Sequence, residues 1–176
     1  MISFREVNND DAEQVLRWRT EPRISSMMLT DVEIDLHKQL QWIKDSRERP
    51  DYYHWIFQKD GIDVGLSSIW TVPPSNATMN IGFYVGVTQY GFITIPVLQA
   101  LYNYIFCHLY KERIDLQMAE GNRIIRRIQL ASATPSRLNE KARWYSTLAS
   151  PSNQRLRGVW AMHTLPGKNG TTSARQ

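Results

Sequence analysis

Cysteine is almost missing from this chain: Cys107 stands alone in 176 residues. A disulfide framework within the chain and a zinc site built on cysteines are therefore excluded. No set of His, Asp and Glu falls at ligand spacing, so no metal is expected. No apolar run of membrane-spanning length and no signal-peptide pattern appears, which reads as a cytoplasmic protein without a membrane partner. Repeats and linker-like stretches are also lacking. Residues 1–164 read as one domain large enough to bury a substantial core, and 165–176, rich in Gly, Ser, Thr and charge, as a disordered tail. Acids are scarce towards the C-terminus. From residue 121 onward Glu140 faces Arg123, Arg126, Arg127, Arg137, Lys141, Arg143, Arg155, Arg157, Lys168 and Arg175. That excess favours an anionic partner, or is a solvated basic face. No recognised nucleic-acid motif accompanies it, so nucleic acid is not the expected partner.

Aromatic residues, by contrast, are plentiful, with 6 Trp and 8 Tyr to fill a core or line a pocket. Residues 2–7 alternate as a first strand. Asp10 and Glu13 form a capping box for a helix through Val15, Leu16 and Trp18 that ends before Pro22. Asp35 leads into a second helix with Leu36, Leu40 and Ile43 on its apolar side and His37 and Gln41 on another. Residues 52–58 and 62–71 are strands joined by the hairpin turn Lys59-Asp60-Gly61. The chain is organised around 80–129: strand 80–85 (NIGFYV), turn 87–94, helix 95–110, strand 114–118 and a basic helix from Gly121, ended by Pro135. Leu98, Leu101, Ile105 and Leu109 share one face of the long helix, and Pro96 is tolerated in its first turn. A turn that presents backbone N–H groups at a helix start is a ready anion site. Beyond it, 138–145 reads as helical or extended and 157–164 as a last strand.

The order strand, helix, helix, three strands, helix, strand, helix resembles the GNAT family of acetyl-CoA-dependent N-acetyltransferases over about residues 2–130. The resemblance implies an α/β (α+β) fold, with a mixed, mostly antiparallel central sheet splayed between strands 4 and 5 and flanked by helices. It also implies acetyl-CoA (coenzyme A) as cofactor. Phe83, Tyr84 and Val85 would line its pantetheine arm, and Tyr90, Gly91, Phe92, Ile93 and Thr94 its pyrophosphate. Asn122 and Arg127 match the family's N-x-x-[SA]-x-R pattern, and Arg123 shares a helix face with Arg127. Within the family, LRWRTEPRISSMM followed by EIDLHKQLQWI is similar to enzymes that acetylate the 4-amino group of a nucleotide-linked amino sugar in pseudaminic-acid-type pathways. That likeness implies substrate contacts from Arg17, Arg19, Met28 and Trp42. Ser67 and its neighbour Ser68 stand ready on the strand before the central one.

The chain departs from the family pattern at three places. TQYGFI keeps Gly91 of the [QR]-x-x-G-x-[GA] turn but carries Thr88 and Ile93, whose bulk is expected to crowd the phosphates. Asn80 stands where many members carry a Glu base, and Gln129 where many carry a Tyr acid; neither titrates. Proton transfer then falls to His37 or His54, with surface and sheet-filling roles as their plain alternatives. His108 and His163 read as structural or exposed. Two other outcomes stay open: an acceptor that is a protein N-terminus or another small amine, and a degenerate GNAT fold that binds without catalysing. Oligomeric state is open as well, a homodimer included.

Overall fold

In the computed structural model, residues 1–30, 32–74, 76–119, 122–123, 125, 127, 136–138 and 143–149 are described. Period-two alternation builds β1 (Ile2–Glu6), β2 (Tyr52–Lys59) and β3 (Ile62–Thr71), each antiparallel to the next. Asp60 and Gly61 turn the β2–β3 hairpin at φ 51° and 82°. Two successive left-handed residues match the twist of the flanking strands. β4 (Thr78–Val85) joins β3 antiparallel, and β5 (Arg113–Ala119) joins β4 parallel. β6 (Ser136–Leu138) and β7 (Arg143–Ala149) complete the order β1-β2-β3-β4-β5-β7-β6. The mixed, mostly antiparallel sheet expected from the sequence is the one observed. The stretch 138–145 is extended at both its described ends. The Pro135 stop, the strand at 157–164 and the tail from 165 lie outside the described residues.

α1 (Ala12–Thr20), α2 (Pro22–Ser25) and α3 (Leu36–Glu48) pack on one face of the sheet. The reciprocal cap at the chain's first helical turn is Asn8 with Asp11, not Asp10 with Glu13. Asn8 Oδ1 accepts from the Asp10 N–H and Asp11 Oδ2 from the Asn8 N–H, both at 2.8 Å. Pro22 ends α1 and also starts α2, at a position whose N–H would have no helical partner. Asp35 caps α3 by accepting from the Lys38 N–H at 3.1 Å. The buried side of α3 carries Gln39, Ile43 and Ser46, while Leu36, expected there, is exposed.

The opposite face is covered by a 3-10 turn at Thr88–Ile93, α4 (Thr94–Asn103) and a π-helical turn at Tyr104–His108. Together they form a 21-residue helix, Thr88–His108, long and apolar enough to cross a membrane by length and composition. No run of that length was expected from the sequence. Here Ile93, Val97, Leu101 and Ile105 bury its apolar side against the sheet, as a core helix does. Burying each such side chain contributes about 1.5–3 kcal/mol. Arg5 ties β1 to the start of α1 and to β3. Its Nη1 and Nη2 donate to the Asp11 carboxylate at 2.8 and 2.6 Å, and its Nε to Asp63 Oδ1 at 3.2 Å.

Candidate active site

Alternation along β4 sends Ile81, Phe83 and Val85 towards α4, and Asn80, Gly82 and Tyr84 towards α1–α3. Strand register sets these in three rows: Tyr52–Trp70–Asn80, His54–Ser68–Gly82 and Ile56–Leu66–Tyr84. Residues in one row share a face. His54 is 6% exposed; its ring meets Trp42 edge-on at 5.5 Å and Tyr52 at 5.8 Å, and its Nδ1 lies 3.4 Å from Ser46 Oγ. Tyr52 stacks on Trp70 at 5.8 Å. An aromatic wall thus stands beside a histidine and a serine.

A bulge decides which serine joins them. Next to the turn, Lys59 pairs with Ile62 and Gln58 with Asp63, but then Phe57 pairs with Gly65, so Val64 is an extra residue in β3. Without it the register would set His54 against Ser67. One inserted residue exchanges the faces of everything beyond it. Ser67 consequently turns to the α4 side, where its hydroxyl donates to the Trp55 carbonyl at 3.5 Å, and Ser68 takes the place expected of it.

β4 and β5 pair only at Thr78–Arg113, Met79–Ile114 and Asn80–Asp115, and past Asn80 a gap opens between them. Gly86 N–H donates to the Val64 carbonyl at 2.8 Å, so even residues of β4 point their backbone groups at β3. Those of Ile81, Phe83 and Val85 point into the gap. Asn80 Oδ1 accepts from the Ile81 N–H at 2.9 Å where the gap begins. At the far end Gly86 lies under Trp18; a Cβ there would sit 2.3 Å from the indole. The turn Thr88–Ile93 follows. Gly91 is exposed, nothing lies within 4 Å of where its Cβ would be, and its carbonyl accepts from Thr94 Oγ1 at 2.8 Å. Ile93 does not crowd this turn: it is 1% exposed with its side chain in the α4 core. A strand edge that β5 leaves uncovered past Asn80, suited to an amide-bearing arm and leading to an open turn suited to a diphosphate, fits acetyl-CoA.

The other expected residues are more scattered. Phe92 is exposed beside Tyr90, their rings 6.2 Å apart. Asn122 Oδ1 accepts from the Ile125 N–H at 3.3 Å, and Arg123 and Arg127 are helical and exposed. Gln129 lies outside the described residues. His37 is exposed on the first turn of α3, on the side opposite Ser46. Arg17 is exposed on α1, whereas Arg19 reaches inward, with Nη2 2.9 Å from Thr30 Oγ1 and its guanidinium 5.9 Å from the Trp42 ring centre. Met28 packs at the edge of the core beneath. Among the described residues no group of three or more His, Cys, Asp or Glu is placed to hold a metal ion.

Three groups escaped the sequence reading. Tyr52 and Trp70 join the site only through strand pairing. Asp115 stands beside Asn80, its carboxylate chelated by Arg113 through Nε at 3.0 Å and Nη2 at 2.8 Å. Arg23 on α2 donates to the Val85 and Gly86 carbonyls at 3.2 Å, at the outer end of the gap. A lone arginine after a proline carries no pattern that would have singled it out.

Burial governs the electrostatics of this face. It raises the Tyr52 phenol pKa, against the lowering effect of a hydrogen bond with Ser68. It raises that of Tyr84 much further, with the Arg19 charge opposing. Both phenols therefore stay protonated at neutral pH. A cavity of about 370 Å³ at the β1 edge of the sheet, between β2 and the end of α3, reaches this site only at His54.

Residues 2–132 match the acetyltransferase (GNAT) domain family. Solved structures share the architecture at low identity. Apo FdhC, a nucleotide-linked sugar GNAT, superposes with a TM-score of 0.75 at 15% identity, covering 90% of this chain and 94% of that one. The Campylobacter jejuni N-acetyltransferase PseH gives 0.66 at 14% identity, over 84% and 97%. The aminoglycoside acetyltransferase AAC(6')-Ib, in complex with coenzyme A, gives 0.73 at 13% identity, over 89% and 99%. With most of its length inside the family match, the chain belongs to the GNAT acetyltransferases, whose cofactor is acetyl-CoA.

Proposed function

We propose that this chain acetylates the 4-amino group of a UDP-linked amino sugar in the cytoplasm. The observation that carries the reading is the meeting, at Asn80 and Gly82, of the β4–β5 gap with the face bearing His54, Ser68 and the aromatic wall. The likeness of residues 16–43 to amino-sugar acetyltransferases, and the fold shared with FdhC and PseH, support the acceptor. The aromatic wall offers flat apolar surface to a sugar or base, and Arg19 offers charge to a phosphate.

Acetyl-CoA supplies the acetyl group as a thioester. Backbone N–H groups of β4 that face the gap are donors for an acyl oxygen. The open turn at Gly91 and the start of α4, with Asn122, Arg123 and Arg127 from the next helix, hold the phosphates. As the C–N bond forms and the thioester C–S bond breaks, a proton passes back to the sulfur that leaves, and His54 accepts the proton of the amine. Two strand spacings separate it from Gly82, about 10 Å, so Ser68 or a water relays the proton. Asn80 holds the strand open by satisfying the Ile81 N–H rather than by titrating. Holding amine and thioester together supplies much of the rate.

Calorimetric titration with acetyl-CoA, followed by mass analysis of a UDP-linked 4-amino sugar as acceptor, tests the proposal. Micromolar cofactor binding and a singly acetylated sugar are expected. An enzyme that ignores that sugar and acetylates the N-terminus of a peptide would replace the acceptor and keep the chemistry. Absence of acetyl-CoA binding would remove the catalytic reading itself.

A further inference from the structure

Tyr84 lies on the face covered by α1–α3, in the row after Ser68, with its ring edge-on to Trp18 at 6.5 Å. Its hydroxyl is enclosed and has no hydrogen-bond partner among the described residues. Arg19 Nε, at the end of α1, is in the same condition. So is the Nε2 group of Gln39, on the buried side of α3. A buried polar group without a partner costs stability, and folds keep such groups chiefly where a function needs them. Two of the three can only donate, and the third is a protonated phenol.

We infer that the acceptor substrate carries an oxyanion, a phosphate or a carboxylate, and that Arg19 and Tyr84 hold it under α1. The inference rests on the acceptor face proposed above and makes Tyr84 a specificity-determining residue. An oxyanion brings several acceptors and a negative charge to set against that of Arg19. The carboxylate of Asp115 stands at the other end of this face, beside Asn80 and four residues, or about 13 Å, along the strand from Tyr84. That carboxylate is paired with Arg113, so the unmatched donors of this face lie under α1: the anion belongs there, and the amine beside the gap. A polyamine would bring positive charge and further donors to groups that already donate, and is refused.

Tyr84→Phe and Arg19→Gln test this. Phenylalanine removes one oxygen that no described residue bonds, so Tyr84→Phe is expected to melt at the parent temperature or about 2–4 °C higher. Calorimetry with acetyl-CoA present should show a 4-amino sugar 1-phosphate and an aminated uronic acid bound more tightly than the uncharged amino sugar. In either variant that preference should fall about tenfold. A Tyr84→Phe protein that melts lower while its preference is unchanged would make the hydroxyl structural and overturn the inference. A parent that binds spermidine in preference to both anionic sugars would overturn it equally. Refusal of the UDP-linked sugar, with the sugar 1-phosphate bound in a Tyr84-dependent way, would end the nucleotide reading and leave this one standing.

Discussion

Glycine 91 and histidine 54 carry the sharpest consequences at the scale of single residues. Open space surrounds the Cβ position of Gly91, and its φ is not left-handed. Gly91→Leu should therefore leave the melting temperature within about 2 °C of the parent while weakening acetyl-CoA binding about tenfold. Differential scanning fluorimetry and calorimetry on one preparation separate the two effects, and unchanged affinity would move the phosphates elsewhere. Between the histidines, burial and company decide. His54 sits among Trp42, Tyr52 and Ser46, whereas His37 stands in solvent beside Asp35. His54→Asn should lower kcat about 100-fold or more, as loss of a general base does. Steady-state rates of His37→Ala within about twofold of the parent would complete the assignment; the reverse ranking would reverse it.

Elements are joined here by few, specific ties. Trp18 lies on Gly86, and Arg23 donates to the carbonyls of Val85 and Gly86, so α1 and α2 are tied to the end of the strand that lines the gap. At the other end of the sheet, Arg5 connects β1, Asp11 and Asp63. Burial raises the Asp63 pKa, but hydrogen bonds from Arg5 and Gln58 more than offset it and hold the carboxyl below its usual range. A carboxyl lowered on folding stabilises the protein above its unfolded pKa, about 3.9, and loses that contribution as pH falls through the lower folded value. Asp63→Asn should accordingly melt below the parent at pH 7, and the difference should shrink below about pH 4. A pH series of melting curves reads both, and a constant difference across the series would remove Asp63 from the acid limb.

For the molecule as a whole, the two cores on either side of one sheet imply that cofactor binding and global stability are linked. A ligand that binds only the folded chain adds about 2.7 kcal/mol at 100 times its Kd. For a domain of this size that is a rise in melting temperature of about 5–10 °C. Acetyl-CoA should produce it, and the Gly91→Leu protein at the same concentration should show a smaller one. No shift with the parent would mean that the gap does not take the cofactor.

The elements of residues 80–118 are legible in the amino-acid order, because their features are local. Strand alternation, a glycine-bearing turn and an apolar helix stripe each leave a short-range pattern. The sheet's mixed character and acetyl-CoA as cofactor were implied by the resemblance to the GNAT family that the order of those elements carries. Tertiary structure alone decided which residues meet at the candidate site. A single extra residue at Val64 moved Ser67 off the face and Ser68 onto it. The α4 core absorbed the side chain of Ile93, which by sequence stood in the phosphates' way. Tyr52, Trp70 and Asp115 joined through pairing with residues far along the chain, and Arg23 through a contact across 62 positions. Periodicity is a property of neighbours in sequence. Which face meets which, and which donors are left without acceptors, are properties of the packed molecule.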